Sequence, residues 1–227
     1  MSDIRTVEYR GNKYFFHETP TLNDLIREVF NDNYRVLERG VNFSPGDVVV
    51  DIGANEGLFS IMMAKMFPYI KVVGCEPVPR TFFQALRNIG LNGLSNVEIF
   101  NVGVGAKDDR IKMVVANEFS GGSSGVQQKF DPTKNKEVEV SILSLDNFLK
   151  MARGADGRIR LMKMDIEGME YDALYGSSAL TDVDYFVGEF HINTFLKEVK
   201  GRDMKELATY VGSKTNLIYY ESCRMAD

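Results

Sequence analysis

The sequence predicts a doubly wound α/β fold with a mostly parallel sheet, preceded by a small N-terminal helical and hairpin extension. Three observations lead there. From Asp47 onward, short β-branched runs alternate with segments of helical periodicity, the pattern of crossover units in a parallel sheet. The first run, Val48–Ile52, is apolar at nearly every position, as expected of a strand covered on both faces. It ends in a glycine-bearing turn that leads into a helix, the place where such folds hold ligands. At 227 residues the chain is long enough for one such domain with a substantial core. We expect residues 1–40 to form the extension, covering the substrate end, and residues 41–227 to form the ligand-binding domain.

In order, Tyr9–Phe16 with Gly11-Asn12 near its middle predicts a hairpin. Thr21 and Asp24 have capping-box spacing, with Asp for the usual Glu, and Leu25, Ile26, Val29 and Phe30 lay an apolar stripe on the following helix. After Val48–Ile52 come a helix at Leu58–Phe67, a strand at Ile70–Cys75 and a helix at Thr81–Leu91 carrying Phe82, Phe83, Leu86 and Ile89. Val97–Val102 makes the third strand. Residues 111–144 depart from the rhythm: strands at Ile111–Ala116 and Val138–Leu143 flank a Gly-Gly-Ser-Ser-Gly run at 121–125, a surface loop by composition with a lid as the second reading. The alternation resumes with a strand at Leu161–Met164, a helix at Met169–Tyr175 and a strand at Tyr185–Phe190. A longer helix at Thr194–Val211, interrupted near Gly201, and a final strand at Leu217–Glu221 complete the series.

Charge and cysteine content narrow the function. Twenty-seven Lys and Arg against 32 Asp and Glu, with no long basic stretch, argue against a nucleic-acid backbone as the main substrate. No apolar run approaches the roughly 20 residues that span a bilayer, and the first residues lack a signal-peptide layout. Cys75 and Cys223 are too few for a disulfide framework, which points to a reducing, cytoplasmic setting. Cys75, inside a strand-like run, reads as a core residue rather than a nucleophile.

The most informative segment is Val48-Val49-Val50-Asp51-Ile52-Gly53-Ala54-Asn55-Glu56-Gly57. Gly53 and Gly57 let the backbone approach a ligand closely, and the helix start offers free N–H groups. Glu76-Pro77 ends the next strand, where a carboxylate can accept both hydroxyls of a ribose. A dinucleotide fingerprint needs glycine at 53, 55 and 58, whereas the chain has Gly53, Asn55 and Leu58. Asp51, at the strand end, suits a cationic ligand group. S-adenosylmethionine carries such a group in its ammonium and has no phosphate, so it is the expected cofactor in preference to NAD.

Asp51-Ile52-Gly53-Ala54-Asn55-Glu56-Gly57 resembles the cofactor loop of class I methyltransferases in its FkbM-type variant. Lys163-Met164-Asp165-Ile166-Glu167-Gly168-Met169-Glu170 resembles the second signature of that family, Lys-x-Asp-x-Glu-Gly-x-Glu. Asn88-Ile89-Gly90-Leu91-Asn92, Gly121–Ser124, Ser144-Leu145-Asp146 and Glu189-Phe190-His191 follow the family's order. The resemblance implies a Rossmann-like fold and methyl transfer from S-adenosylmethionine, usually to an oxygen of a sugar, polyketide or other natural product. It implies cofactor contacts at Asp51, Gly53, Asn55, Gly57 and Glu76-Pro77, with Asn101, Val102 and Gly103 bordering the adenine.

Catalysis needs an acceptor lone pair aligned with the methyl carbon and a place for the acceptor's proton. Asp165, Glu167, Glu189 and His191 fall at two strand ends expected to be neighbours, so they are the candidate acid–base and acceptor-binding groups. His191 reads equally well as the base or as a hydrogen-bonded structural histidine. Glu170 reads as structural or as a helix-start charge. The same residues offer oxygen and imidazole ligands for Mg²⁺ or Mn²⁺, but their spacing matches no dedicated metal motif, so no metal is assigned. The expected partner is a small-molecule acceptor, with neither nucleic acid nor membrane, and the sequence does not fix the oligomeric state. Two other functions fit part of the pattern: an NAD-dependent oxidoreductase on a similar fold and a non-catalytic nucleoside-binding module.

Overall fold

The structure is a computed structural model and describes residues 3–30, 34, 37, 40–116, 133, 135–154 and 158–225. Strands β1 (Ile4–Tyr9) and β2 (Asn12–His17) pair antiparallel, with Tyr9 opposite Asn12. Arg10 and Gly11 between them have φ of 49° and 75°, the two positive values that a two-residue hairpin turn needs to match strand twist. Helix α1 (Leu22–Phe30) follows, burying Leu22, Leu25, Val29 and Phe30. It starts where the capping box predicts, but the Thr21 hydroxyl donates to Glu56 Oε1 at 2.7 Å, tying the helix start to the first ligand loop.

The main sheet contains β3 (Asp47–Ile52), β4 (Lys71–Cys75), β5 (Val97–Phe100), β9 (Arg158–Met164), β10 (Val183–Ile192) and β11 (Asn216–Arg224). Their order is β11-β10-β9-β3-β4-β5, and every neighbouring pair is parallel. The chain runs outward from β3 in one direction through β4 and β5. It then returns to β9 on the other side, so the switch point lies between β3 and β9. Above the carboxyl ends of strands at such a point a crevice opens, because the connections leave in opposite directions.

Strand alternation divides the core. Val48, Val50 and Ile52 pack with α4 (Leu145–Arg153), α5 (Glu170–Tyr175) and α6 (Met204–Gly212) on one face. Val49 packs on the other face with α2 (Leu58–Met66), α1 and the hairpin. Asp51 shares the face of Val49, which decides the environment of its side chain. Beyond β5, β6 (Gly103–Gly105), β7 (Asp109–Ala116) and β8 (Asn135–Ser144) form a second sheet in the order β6-β8-β7.

The structure corrects several expectations. The third strand stops at Phe100 rather than Val102, because Asn101 turns its amide onto the carbonyls of Glu76 (2.9 Å) and Pro77 (3.0 Å). Helix α3 (Pro79–Leu91) leaves Phe83 and Leu86 exposed and buries Gln84, Ala85, Asn88 and Ile89 instead. Its buried polar residues are used: Asn88 accepts from His17 N–H at 3.0 Å and donates to Glu56 O at 2.9 Å. Asn92 accepts from Phe15 N–H at 3.0 Å and donates back to Phe15 O at 2.6 Å. The edge of β2 is thus closed by two asparagine side chains. The interruption expected near Gly201 is present: residues 194–211 form two pieces, a π-helical turn at Phe195–Val199 and α6. The glycine–serine run at 121–125 lies outside the described residues. Among the described residues, no helix is long and apolar enough to cross a membrane.

Candidate active site

The loop after β3 and the loop after β9 are held together at the switch point. Asp165 N–H donates to Ile52 O at 3.0 Å, and a Cβ on Gly53 would lie 1.8 Å from Asp165 O. With φ of 80° as well, position 53 accepts only glycine without rearrangement. Lys163, fully enclosed below this junction, donates to Gly53 O at 3.0 Å and to Asp165 Oδ2 at 3.3 Å. It also lies 3.8 Å from Asp51 Oδ1. Burial would strip the proton from this ammonium, but the charges of Asp165 and Asp51 outweigh it and hold its pKa well above the ordinary value.

A cavity, about 680 Å³ with the open solvent at its mouth included, sits over this junction. Gly53, Asn55, Glu76 and Pro77 line one side, Gly103, Met113 and Ile142 another, and Asp165, Ile166, Glu167 and Met169 the end. Asn55 has φ of 50°, and its N–H donates to Glu76 Oε2 at 3.1 Å while Val78 N–H donates to Oε1 at 2.9 Å. Each carboxylate oxygen keeps lone-pair capacity for a ligand hydroxyl. Burial raises the Glu76 pKa to about 7, against the lowering effect of those two N–H groups. Cys75, at the cavity floor, is fully buried and its thiol is pushed up by desolvation, in keeping with a core role.

Of the residues expected to contact a cofactor, Gly53, Asn55, Glu76, Pro77 and Gly103 line the cavity. The other four stand behind it. Asp51 is fully buried: its Oδ2 accepts from Ser60 Oγ on α2 at 2.6 Å, and burial raises its pKa. Strand alternation turns it toward α2, and its Oδ1 is buried without a hydrogen-bond partner. Gly57 packs against α3, where an added Cβ would lie 3.3 Å from Ala85 Cβ, Asn101 braces the Glu76-Pro77 turn, and Val102 packs against the core.

The four residues expected to carry the chemistry converge. His191 Nδ1 lies 2.9 Å from Glu170 Oε1. Its Nε2 lies 3.6 Å from Glu167 Oε2 and 3.8 Å from both Asp165 Oδ1 and Glu189 Oε2. Glu170 is fully buried and also accepts from Ile166 N–H (3.1 Å) and Gly168 N–H (2.9 Å), so it fixes both the loop and the imidazole. Desolvation would lower the His191 pKa, but the hydrogen bond and charge of Glu170, with Asp165 and Glu167, raise it to about 9. Glu167 sits at φ of 54°, and burial raises its carboxyl to about 7 despite His191. Burial and the charge of Asp165 also raise Glu189, which accepts from Cys223 Sγ at 3.2 Å.

Sequence reasoning missed Glu28. Helix α1 brings its carboxylate among those of Asp165 and Glu189, with the ligand atoms of the three within 4.8 Å of one another. Burial raises it to about 7, with Lys163 opposing. The signal was available: Glu28 follows Leu25 by three positions, beside the apolar stripe rather than opposite it. Lys163 appeared in the sequence only as part of a motif, although a lysine in a strand buried on both faces is itself a warning that carboxylates surround it.

Residues 51–214 match the family described as Methyltransferase FkbM domain. Among curated relatives, Methyltransferase 1 of Beauveria bassiana is 29% identical over 149 residues, covering 59% of this chain and 59% of its own length. Methyltransferase sdnD of Sordaria araneosa is 27% identical over 182 residues, covering 67% of each. The 31-O-demethyl-FK506 methyltransferase FkbM of Streptomyces tacrolimicus is 43% identical over 58 residues, which is 26% of this chain and 22% of that protein. The chain therefore spans about three-fifths to two-thirds of the first two relatives. With its two signature loops joined at the switch point and the match extending over 51–214, the chain belongs to the FkbM methyltransferase domain family.

Proposed function

We propose that this protein is an S-adenosylmethionine-dependent methyltransferase that acts on a hydroxyl oxygen of a sugar, polyketide or other small natural product. The observation that carries the cofactor choice is the charge of the cavity. Among the described residues its lining includes Glu76, Asp165 and Glu167 and neither lysine nor arginine. A dinucleotide brings two phosphates, which this wall would repel; S-adenosylmethionine brings a sulfonium and an ammonium, which it attracts. Glu76 takes the ribose hydroxyls, and Val78, Met113 and Ile142 give an apolar wall for the adenine.

Asp165 and Glu167 then mark the end where the methyl group leaves. The acceptor oxygen attacks the methyl carbon in line with the carbon–sulfur bond. The electrons of that bond return to sulfur, leaving a neutral thioether, and the hydroxyl proton passes to the carboxylate cluster. With its pKa raised to about 9, His191 holds its proton at neutral pH and orients and neutralises the carboxylates rather than acting as the base. Oxygen is favoured over nitrogen as the acceptor atom by this supply of proton acceptors and by the O-methylating relative from Streptomyces tacrolimicus. Helix α1 caps the acceptor end, since it delivers Glu28 there. The partner is a small molecule rather than nucleic acid or a membrane, and the setting is cytoplasmic.

The test is methyl transfer from radiolabelled S-adenosylmethionine to a panel of hydroxyl, amine and thiol acceptors. Label on hydroxyl acceptors supports the reading. Transfer to amines alone overturns the oxygen assignment, and nicotinamide-dependent turnover overturns the cofactor.

A further inference from the structure

We infer that Asp165, Glu167 and His191 form a binding site for one divalent cation of the Mg²⁺ or Mn²⁺ type at the acceptor end of the cavity. Sequence spacing assigned no metal here; the geometry does. The ligand atoms of these three residues all lie within 4.8 Å of one another. An octahedral ion bound at about 2.1 Å places neighbouring ligand atoms about 3 Å apart. Closing His191 Nε2 on Glu167 Oε2, now at 3.6 Å, and on Asp165 Oδ1, at 3.8 Å, takes shifts of under about 1 Å.

The imidazole distinguishes this group from an ordinary acidic cluster. His191 is 5% exposed, and its Nε2 is directed into the carboxylates with none of them within 3.5 Å. Its Nδ1 is taken by Glu170, whose own oxygens are held by two backbone N–H groups. A histidine oriented through one nitrogen by a buried carboxylate, with the other nitrogen presented to oxygen ligands, is the outer-shell arrangement of metal-binding histidines.

Charge points the same way. Glu28 and Glu189 border the set, giving four carboxylates together with Asp165 and Glu167. Lys163, the nearby ammonium, is already engaged by Gly53 O and by Asp165 Oδ2, which leaves Asp165 Oδ1 facing His191. Two carboxylates and one imidazole suit a hard or borderline cation, with the imidazole favouring Mn²⁺ over Mg²⁺ and releasing its Nε2 proton as the ion binds. Because Asp165 and Glu167 also line the cavity, such a cation would present an open coordination position to the acceptor. It would bind the acceptor hydroxyl and lower its pKa, with the proton passing to the adjacent Glu189. That catalytic role rests on the methyltransferase reading above, whereas the existence of the site does not.

The test is Mn²⁺ binding to the chelator-treated full chain, followed by electron paramagnetic resonance and calorimetry, with S-adenosylmethionine binding measured on the same samples. The expected result is one Mn²⁺ per chain, displaced by excess Mg²⁺, with Glu167→Gln and His191→Gln each weakening it by roughly tenfold or more. Glu167 is partly exposed on a loop, so Glu167→Gln should keep the wild-type unfolding temperature, which separates loss of the ion from loss of the fold. Bound S-adenosylmethionine with no Mn²⁺ taken up at millimolar concentration overturns the metal site and leaves the methyltransferase reading intact. Undiminished Mn²⁺ affinity in both variants also overturns it, by placing the ion on other carboxylates.

Discussion

Glu170 Oε1 lies 2.9 Å from His191 Nδ1, and the same carboxylate accepts the backbone N–H groups of Ile166 and Gly168. One fully buried side chain therefore sets both the loop that ends the cofactor cavity and the imidazole at the acceptor end. Replacing it by glutamine turns one acceptor oxygen into a donor and leaves a buried N–H without its partner. Glu170→Gln should cost about 1–3 kcal/mol of stability. It should also lower turnover more than cofactor affinity. Denaturant unfolding and separate kcat and KM values measure the two effects, and an unchanged turnover would remove Glu170 as a positioning residue.

Glu76 should account for much of the nucleoside affinity. Its two oxygens are held by Asn55 and Val78 N–H groups with lone pairs left over for ribose hydroxyls. Glu76→Ala should weaken S-adenosylmethionine binding by about 1–3 kcal/mol, the usual loss for hydrogen bonds to a charged group. Calorimetry on the folded variant tests this; wild-type affinity would move the ribose elsewhere.

The same residue gives binding a pH dependence. Burial raises Glu76 to about 7, so the acceptor form prevails above that pH and a proton occupies it below. Affinity for S-adenosylmethionine should fall about tenfold from pH 8 to pH 6, following the ionised fraction. Glu76→Gln should flatten this profile. The sign for stability is opposite: a carboxyl raised from 4.5 takes up a proton on folding, so its contribution to stability declines as pH rises through that window.

Gly53→Ala should be severely destabilising. The new methyl group would lie 1.8 Å from Asp165 O, and alanine at φ of 80° carries backbone strain of its own. Together these should exceed about 2 kcal/mol. A chain with wild-type unfolding temperature would mean that the two loops are not locked as described.

Asn92 and Asn88 close the free edge of β2, so Asn92→Ala should loosen the hairpin without touching the cavity. Losing the paired bonds to Phe15 should cost about 1–3 kcal/mol. Limited proteolysis should cut faster within residues 3–20, while cofactor affinity stays near wild type. Equal cutting of both proteins would contradict the clamp.

Much of this architecture was readable in the residues. The apolar run at β3, the alternation of strands and helices and the glycine turn led to the parallel sheet and its switch point. The grouping of Asp165, Glu167, Glu189 and His191 followed from placing them at adjacent strand ends. Facing was harder. Asp51 reads as a ligand contact because it ends the strand, whereas its packing against Ser60 follows from strand alternation and the docking of α2. On α3, Phe83 and Leu86 are exposed while Gln84 and Asn88 are buried in hydrogen bonds, which apolar periodicity cannot register. For Glu28 the local pattern gives only its place beside the apolar stripe of α1; its role depends on where α1 docks against carboxylates more than 130 residues away.

The most direct test of the central claim is calorimetry of S-adenosylmethionine, S-adenosylhomocysteine and NAD with metal-free protein. The account predicts that both sulfur ligands bind, that NAD does not, and that Glu76→Ala weakens both by a similar factor. NAD binding in their place, against a cavity wall of carboxylates, would contradict the assignment of cofactor and reaction together.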